Sequence, residues 1–156
     1  MRESDTGDAI PQIADELVRF HRLMARARGM LNVGDFGAEY SALMLLLPLR
    51  YRGPMRATDL AEIKQADPST VSRQVAQLVK AGLARREADP GDGRASRLAI
   101  TDAGLAAVGQ LEEARQAWLR DVLGNWSPDQ AATFAGLFAE FNSSVEVRLA
   151  TPRENP

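Results

Sequence analysis

Asp67-Pro68 and Gly82 bracket the segment that most constrains this chain. An aspartate followed by proline is a helix start. The carboxylate accepts free N–H groups of the first turn, and a proline at the first position lacks the N–H that would have no partner there. Gly82 can take the left-handed conformation that ends a helix. Between them Val71, Val75, Leu78 and Val79 recur at helical spacing, which predicts a helix from Pro68 to Ala81 with one apolar stripe. The opposite face carries Ser69, Thr70, Arg73, Gln74, Gln77 and Lys80, with no carboxylate after Asp67. A solvated helix in a chain with 26% charged residues ordinarily mixes Glu with Lys. A face without acid points instead to a polyanionic partner.

The neighbours of this helix complete a pattern. Thr58 can cap a short helix, Asp59 to Lys64, with Leu60, Ala61 and Ile63 facing inward and Gln65-Ala66 as the turn. After Gly82, Leu83–Ala88 and Ser96–Ile100 read as two strands, with Leu98 and Ile100 on one side. They are joined by the loop Asp89-Pro90-Gly91-Asp92-Gly93-Arg94. A short helix, a proline-started helix, a glycine stop and a basic hairpin, in that order, spell a winged helix-turn-helix. The fold class is therefore mainly α with a small β-hairpin wing, a unit that places one helix in a DNA groove.

The chemistry of the exposed groups fits that use. Ser69 and Thr70 lie where the free N–H groups and dipole of a helix start favour phosphate. Arg73 can read guanine O6 and N7 bidentately, and Gln77, one turn on, can read adenine N6 and N7. Arg94 can enter the narrow minor groove, where negative potential is enhanced. Arg97, on the basic strand that follows, joins the DNA-facing set. Asp92 either holds Arg94 or braces the hairpin.

The flanks read as scaffold. Arg50 to Arg97 contains 10 Lys/Arg against 6 Asp/Glu, leaving 9 against 15 elsewhere and a net charge of −2. A basic centre between acidic flanks is the footprint of a nucleic-acid-reading module on a scaffold that does not touch nucleic acid. Residues 1–9 read as a polar tail. Ile10, Ile13, Leu17, Phe20, Met24, Ala27 and Leu31 recur at alternating steps of three and four, a heptad seam. It predicts a helix from Ile10 to Arg28 stopped by Gly29, packed along another helix of the same chain or of a second subunit. A second helix is expected from Phe36 to Arg52, capped by Asp35, apolar over most of its surface, and bent or shortened by Pro48. Thr101-Asp102 opens a long helix with Leu105, Val108, Leu111, Trp118 or Leu119, and Val122 inward, ending near Gly124. Ser127-Pro128-Asp129-Gln130 has the form of a capping box. It opens a last helix with Phe134, Leu137, Phe138, Phe141 and Val145 on one face. Residues 151–156 read as a tail. The chain is expected to be one domain over 1–156, with 53–100 as the DNA-binding lobe and 10–52 and 101–150 as scaffold and dimerisation helices.

Composition excludes several alternatives. With no cysteine there are no disulfides, thiolate metal sites or thiol redox sensors, and His21 is the only histidine. No paired nucleophile and base and no phosphate-cradling glycine loop appears, so neither an enzyme nor a cofactor is expected. The first residues lack a basic stretch followed by an apolar one, and the longest apolar run, Ala42 to Leu49, is far too short to span a bilayer. A cytoplasmic protein without membrane contact is expected.

The run from Asp67-Pro68-Ser69-Thr70-Val71-Ser72-Arg73 through Leu78-Val79-Lys80-Ala81-Gly82-Leu83, Asp89-Pro90-Gly91-Asp92-Gly93-Arg94 and Leu98-Ala99-Ile100-Thr101 to Gly104 closely resembles the MarR family of transcription regulators. The resemblance covers essentially the whole chain in helix order and is most specific from Pro68 to Gly104. It implies a homodimer built by the first and last two long helices. It also implies a pseudo-palindromic double-stranded DNA operator, read by recognition helices in successive major grooves and wings in flanking minor grooves. Many members are repressors released by small aromatic or lipophilic anions. By position, Ser69, Thr70, Ser72 and Arg73 match the family's recognition-helix start, and Asp92 and Arg94 match its Asp-x-Arg wing pair. Gly93 stands where many members carry a second basic residue. No effector-pocket motif transfers, although His21, Tyr40, Met44 and Trp118 are able to line a cavity. The alternative is a winged-helix module that docks proteins and has lost DNA binding.

Overall fold

The computed structural model describes residues 6–27 and 35–150. Seven helices and one hairpin follow in chain order: α1 (Thr6–Ala27), α2 (Tyr40–Leu43), α3 (Leu46–Arg52), α4 (Ala57–Lys64), α5 (Pro68–Lys80), β1 (Ala84–Asp89), β2 (Asp92–Ile100), α6 (Asp102–Val122) and α7 (Pro128–Ala150). Two compact units divide within α6, between Arg115 and Gln116. No helix among the described residues is long and apolar enough to cross a membrane.

The buried core lies in the first unit. It joins Leu45, Leu46 and Leu49 with Leu60, Val71, Val75, Leu78, Leu98 and Val108. Each of the short elements supplies one apolar face, and none has enough surface to bury alone. The core is spread over α2 to α6 and takes no buried residue from α1 or α7.

Several boundaries differ from the sequence reading, each for a local reason. The single helix expected from Phe36 to Arg52 is two helices with a break at Met44-Leu45. Pro48 has no N–H to give the Met44 carbonyl one turn back, and its ring crowds that carbonyl, so the ladder is cut there. Asp35 caps no helix; its carboxylate accepts the Gly37 N–H at 3.0 Å, a local turn, and α2 starts after Glu39. The cap of α4 is Arg56, not Thr58: Asp59, three residues on, accepts the Arg56 N–H at 2.9 Å. Ile63 is 40% exposed, so the inner face of α4 is carried by the buried Leu60 and Ala61, with Ala57 packed against the same core. In α1 the helix already begins at Thr6, inside the expected tail, and Pro11 sits within its first turns. The Gly29 stop, Leu31 and most of the 32–35 loop lie outside the described residues.

Of the positions expected to face inward in α6, Val108 and Leu111 are buried. Gly104 and Ala107 are buried with them, while Leu105, Leu119 and Val122 are exposed and Trp118 is half-buried. The α7 capping box forms: Gln130 Oε1 accepts the Ser127 N–H at 2.9 Å, and Ser127 Oγ accepts the Gln130 N–H at 3.2 Å. The α7 stripe of Phe134, Leu137, Phe138, Phe141 and Val145 is exposed, with Leu137 at 61%. Trp126 meets Phe134 edge-on at 5.5 Å, and Phe134 stacks on Phe138 at 5.6 Å.

Candidate nucleic-acid interface

The α5 helix is set by its ends. Asp67 accepts the N–H groups of Ser69 at 2.8 Å and Thr70 at 3.2 Å, with Pro68 at the first position. These bonds, the Ser69 hydroxyl first, hold the Asp67 carboxyl below its ordinary range. At the far end Gly82 takes φ +73°, as a helix stop in the left-handed region requires. The turn between α4 and α5 closes with Gln65 at φ 47°, a left-handed residue that is not glycine.

Val71, Val75 and Leu78 fix the rotation of α5 by burying completely. That rotation sorts the polar residues into two rows. Ser69, Ser72, Arg73 and Lys80 are exposed and lie three or four residues apart with Ala76, along one outer ridge. Thr70, Gln74 and Gln77 are half-buried on the flank. Gln77 Oε1 accepts the Glu39 N–H at 3.2 Å, so it ties α5 to the start of α2. Ala76, on the outer ridge, escaped the sequence reading because alanine carries no polar signal.

The hairpin is longer and tighter than a loop between two short strands. Ala84 pairs with Ile100 and the ladder continues to Asp89 opposite Asp92, leaving Pro90-Gly91 as the turn, with an irregularity at Ala88/Asp89. Asp92, Gly93 and Arg94 therefore belong to β2. Met55 pairs with Leu98 through two backbone bonds of 2.8 and 3.1 Å, adding a one-residue third rung. Leu98 is buried in the core and Ile100, half-buried, packs against the same core, so the two share the inner side, while Ala99 between them is buried outside that cluster.

Charges along the hairpin are mostly spoken for. Asp92 braces the backbone: its Oδ1 accepts the Arg94 N–H at 3.1 Å. Its side-chain ion partner is Arg56, at 3.9 Å, and not the Arg94 guanidinium. Arg56 Nε also donates to Asp89 at 2.7 Å, which holds the Asp89 carboxyl below its ordinary range and raises Arg56. Arg97 NH2 is bound to Glu87 at 2.9 Å across the ladder, and Arg85 reaches the same carboxylate at 3.3 Å. Arg86 reaches the Ser96 hydroxyl at 3.4 Å. Among the described residues Arg94 is exposed and its guanidinium has no ion pair. Arg56, Asp89 and Glu87 escaped the sequence reading. Asp59 three residues after Arg56 and Asp89 before Pro-Gly were their available signals, since both spacings mark local carboxylate-to-backbone bonds.

The scaffold side of this unit has its own link. The Tyr51 hydroxyl donates to Glu112 at 2.7 Å and Arg50 pairs with the same carboxylate at 3.2 Å, joining α3 to α6. The bond to Glu112 raises the Tyr51 hydroxyl above its ordinary range. A separate groove of about 420 Å³ lies at the start of α7, lined by Trp126, Asp129, Gln130, Thr133, Phe134 and Leu137. His21, Tyr40, Met44 and Trp118 do not line it.

Comparison with known proteins agrees with this geometry. Residues 39–96 match the MarR family model, a span that covers α2 to most of β2. The chain is 35% identical over 106 residues to the HTH-type transcriptional regulator YxaD of Bacillus subtilis (strain 168), covering 68% of this chain and 74% of the relative. Among solved structures, a MarR family protein from Bacillus stearothermophilus superposes with a TM-score of 0.75 at 19% identity, covering 89% of this chain and 97% of that one. Wild-type MarR from E. coli in its apo form gives 0.66 at 19% identity, covering 80% and 95%. At these identities the two structures establish the winged-helix fold, and the sequence matches establish the kinship. The chain belongs to the MarR family of helix-turn-helix transcriptional regulators, DNA-binding proteins rather than enzymes.

Proposed function

We propose that the chain acts as a homodimeric repressor that binds a pseudo-palindromic operator and is released by a small aromatic or lipophilic anion. The observation that carries the DNA part is the outer ridge of α5, where Ser69, Ser72, Arg73 and Lys80 are exposed with no carboxylate among them. In this reading the ridge enters the major groove. Ser69, Ser72 and Thr70 meet phosphate at the helix start, Arg73 reads a guanine, and Ala76 lies against a thymine methyl group. Gln74 and Lys80 flank the contact. Gln77, with its oxygen held by Glu39, positions the helix and offers DNA only its amide N–H groups. Arg94 enters the minor groove, Asp92 braces it, and Arg97 adds positive field from behind its bond to Glu87.

Dimerisation is supported by the exposed apolar faces of α1 and α7. Ile10, Ile13, Leu17 and Phe20 are each about half exposed on α1, as are Phe134 and Phe138 on α7. Contiguous exposed apolar faces of this kind mark interfaces. Residues 10–52 and 101–150 then act as dimer scaffold around the 53–100 reading lobe, and two copies match a two-fold symmetric site. Repression, effector release and a cytoplasmic site of action rest on kinship with the family. A gel-shift series with operator variants across salt concentrations tests the reading. Tight, sequence-dependent and salt-sensitive binding is expected. Absence of operator binding by the intact wild-type dimer overturns it and leaves a protein-docking module.

A further inference from the structure

We infer that Arg56 is the wing-positioning residue of this protein: its guanidinium bridges Asp89 and Asp92 on the two sides of the Pro90-Gly91 turn and thereby sets where Arg94 is presented to DNA. The inference rests on the reading of Arg94 as a minor-groove contact and adds a residue outside the family's wing pair.

Three observations combine. First, the Arg56 backbone is fixed on both sides. Met55 is hydrogen-bonded in both directions to Leu98 of β2, and the Arg56 N–H is held by Asp59 in α4. The guanidinium therefore leaves a rigid point one residue from the hairpin. Second, its two partners flank the turn. Asp89, with a side chain only 11% exposed, takes Arg56 Nε at 2.7 Å, and Asp92, 49% exposed, lies 3.9 Å from NH2. Third, each carboxylate also pins a wing N–H with its other oxygen. Asp89 Oδ1 accepts Gly91 at 2.8 Å and Asp92 Oδ1 accepts Arg94 at 3.1 Å. Arg56 thus connects the rigid lobe, through one carboxylate on each strand, to the backbone of the turn and of Arg94 itself. It also supplies positive charge beside two carboxylates that would otherwise face the phosphates of a bound duplex unneutralised.

The test combines Arg56→Gln, Asp89→Asn and Arg94→Ala in the full-length protein. In the free protein, amide exchange at Gly91 and Arg94 is expected to rise about tenfold in Arg56→Gln and in Asp89→Asn, with the Val75 and Leu78 amides unchanged. Unchanged exchange at Gly91 and Arg94 overturns the inference without any DNA present. In a double-mutant cycle on a duplex that the wild type binds, Arg56→Gln alone is expected to weaken binding by about fivefold or more, and to add less than about twofold once Arg94 is alanine. Additive losses overturn the inference, because Arg56 would then act on DNA directly or through general stability. If the Arg94→Ala single variant binds the duplex as wild type does, the minor-groove reading fails, and the exchange measurement separates that failure from failure of the Arg56 inference.

Discussion

The Thr101 hydroxyl donates to the Gly82 carbonyl at 2.6 Å, so the residue that stops α5 is bonded to the residue that starts α6. The same hydroxyl oxygen accepts the Gly104 N–H at 3.1 Å, and the Thr101 N–H is held by Leu83 at 3.1 Å. One side chain therefore caps α6 and anchors the end of the proposed recognition helix. Thr101→Val keeps the shape and removes both bonds. A loss of about 1–2 kcal/mol is expected, read from the urea unfolding midpoint, while Thr101→Ser should recover most of it. A valine variant as stable as wild type would contradict this role.

Gly104 explains why that junction is tight. A Cβ built there would come within 2.1 Å of the Leu83 carbonyl oxygen and 2.7 Å of Ile100 Cγ1. The obstacle is backbone, already engaged by Thr101, so it cannot swing aside. Gly104→Ala should cost about 3 kcal/mol despite alanine's better helix propensity. Thermal unfolding of Gly104→Ala beside Gly109→Ala checks it, because a Cβ at Gly109 meets nothing within 4 Å and should be neutral or stabilising.

Stability should fall on acidification through two identified carboxylates. Asp67 is held below its ordinary range by Ser69 and the first-turn N–H groups, and Asp89 by Arg56. A lowered folded-state value means that the unfolded chain binds the proton more readily. The stabilisation is therefore complete above the unfolded carboxylate range and is lost as pH drops through and below it. Denaturant midpoints from pH 6 to pH 3 should show the decline. Asp67→Asn, which still caps a helix but does not titrate, should flatten part of it.

The two arginines proposed to meet DNA should fail in different ways. Arg94→Ala should weaken binding to all sequences and lower the slope of log affinity against log salt by about 1. Arg73→Ala should cost about 1–3 kcal/mol at one base position and relax preference there. Binding isotherms on a panel of single-base operator variants at several salt concentrations separate the two. A uniform loss for Arg73→Ala would make it a phosphate contact instead.

Asp67, Pro68 and Gly82 were readable because caps and stops act within a few residues, and the α5 stripe because Val71, Val75 and Leu78 report their own spacing. The same locality made the Ser127–Gln130 box readable. Boundaries failed where a signal was overridden locally or by packing. The weight of Leu43 to Leu49 suggested one helix, and the Pro48 cut could be placed only at the carbonyl it disturbs. Arg94 and Arg97 look alike in sequence, yet one is exposed and the other is bound to Glu87 from the opposite strand.

By itself the sequence determined that this chain makes a capped helix with one apolar and one acid-free polar face, followed by a hairpin, because those outcomes depend on residues within a turn or two of each other. Only the tertiary structure decided which polar residues remain available. Burial of Val71, Val75 and Leu78 rotates Ser69, Ser72 and Arg73 outward and turns Gln77 toward Glu39, while Arg56 comes to Asp89 across 33 positions of chain. Hydrogen bonds and ion pairs between distant segments are set by how the core closes, and no local pattern encodes them.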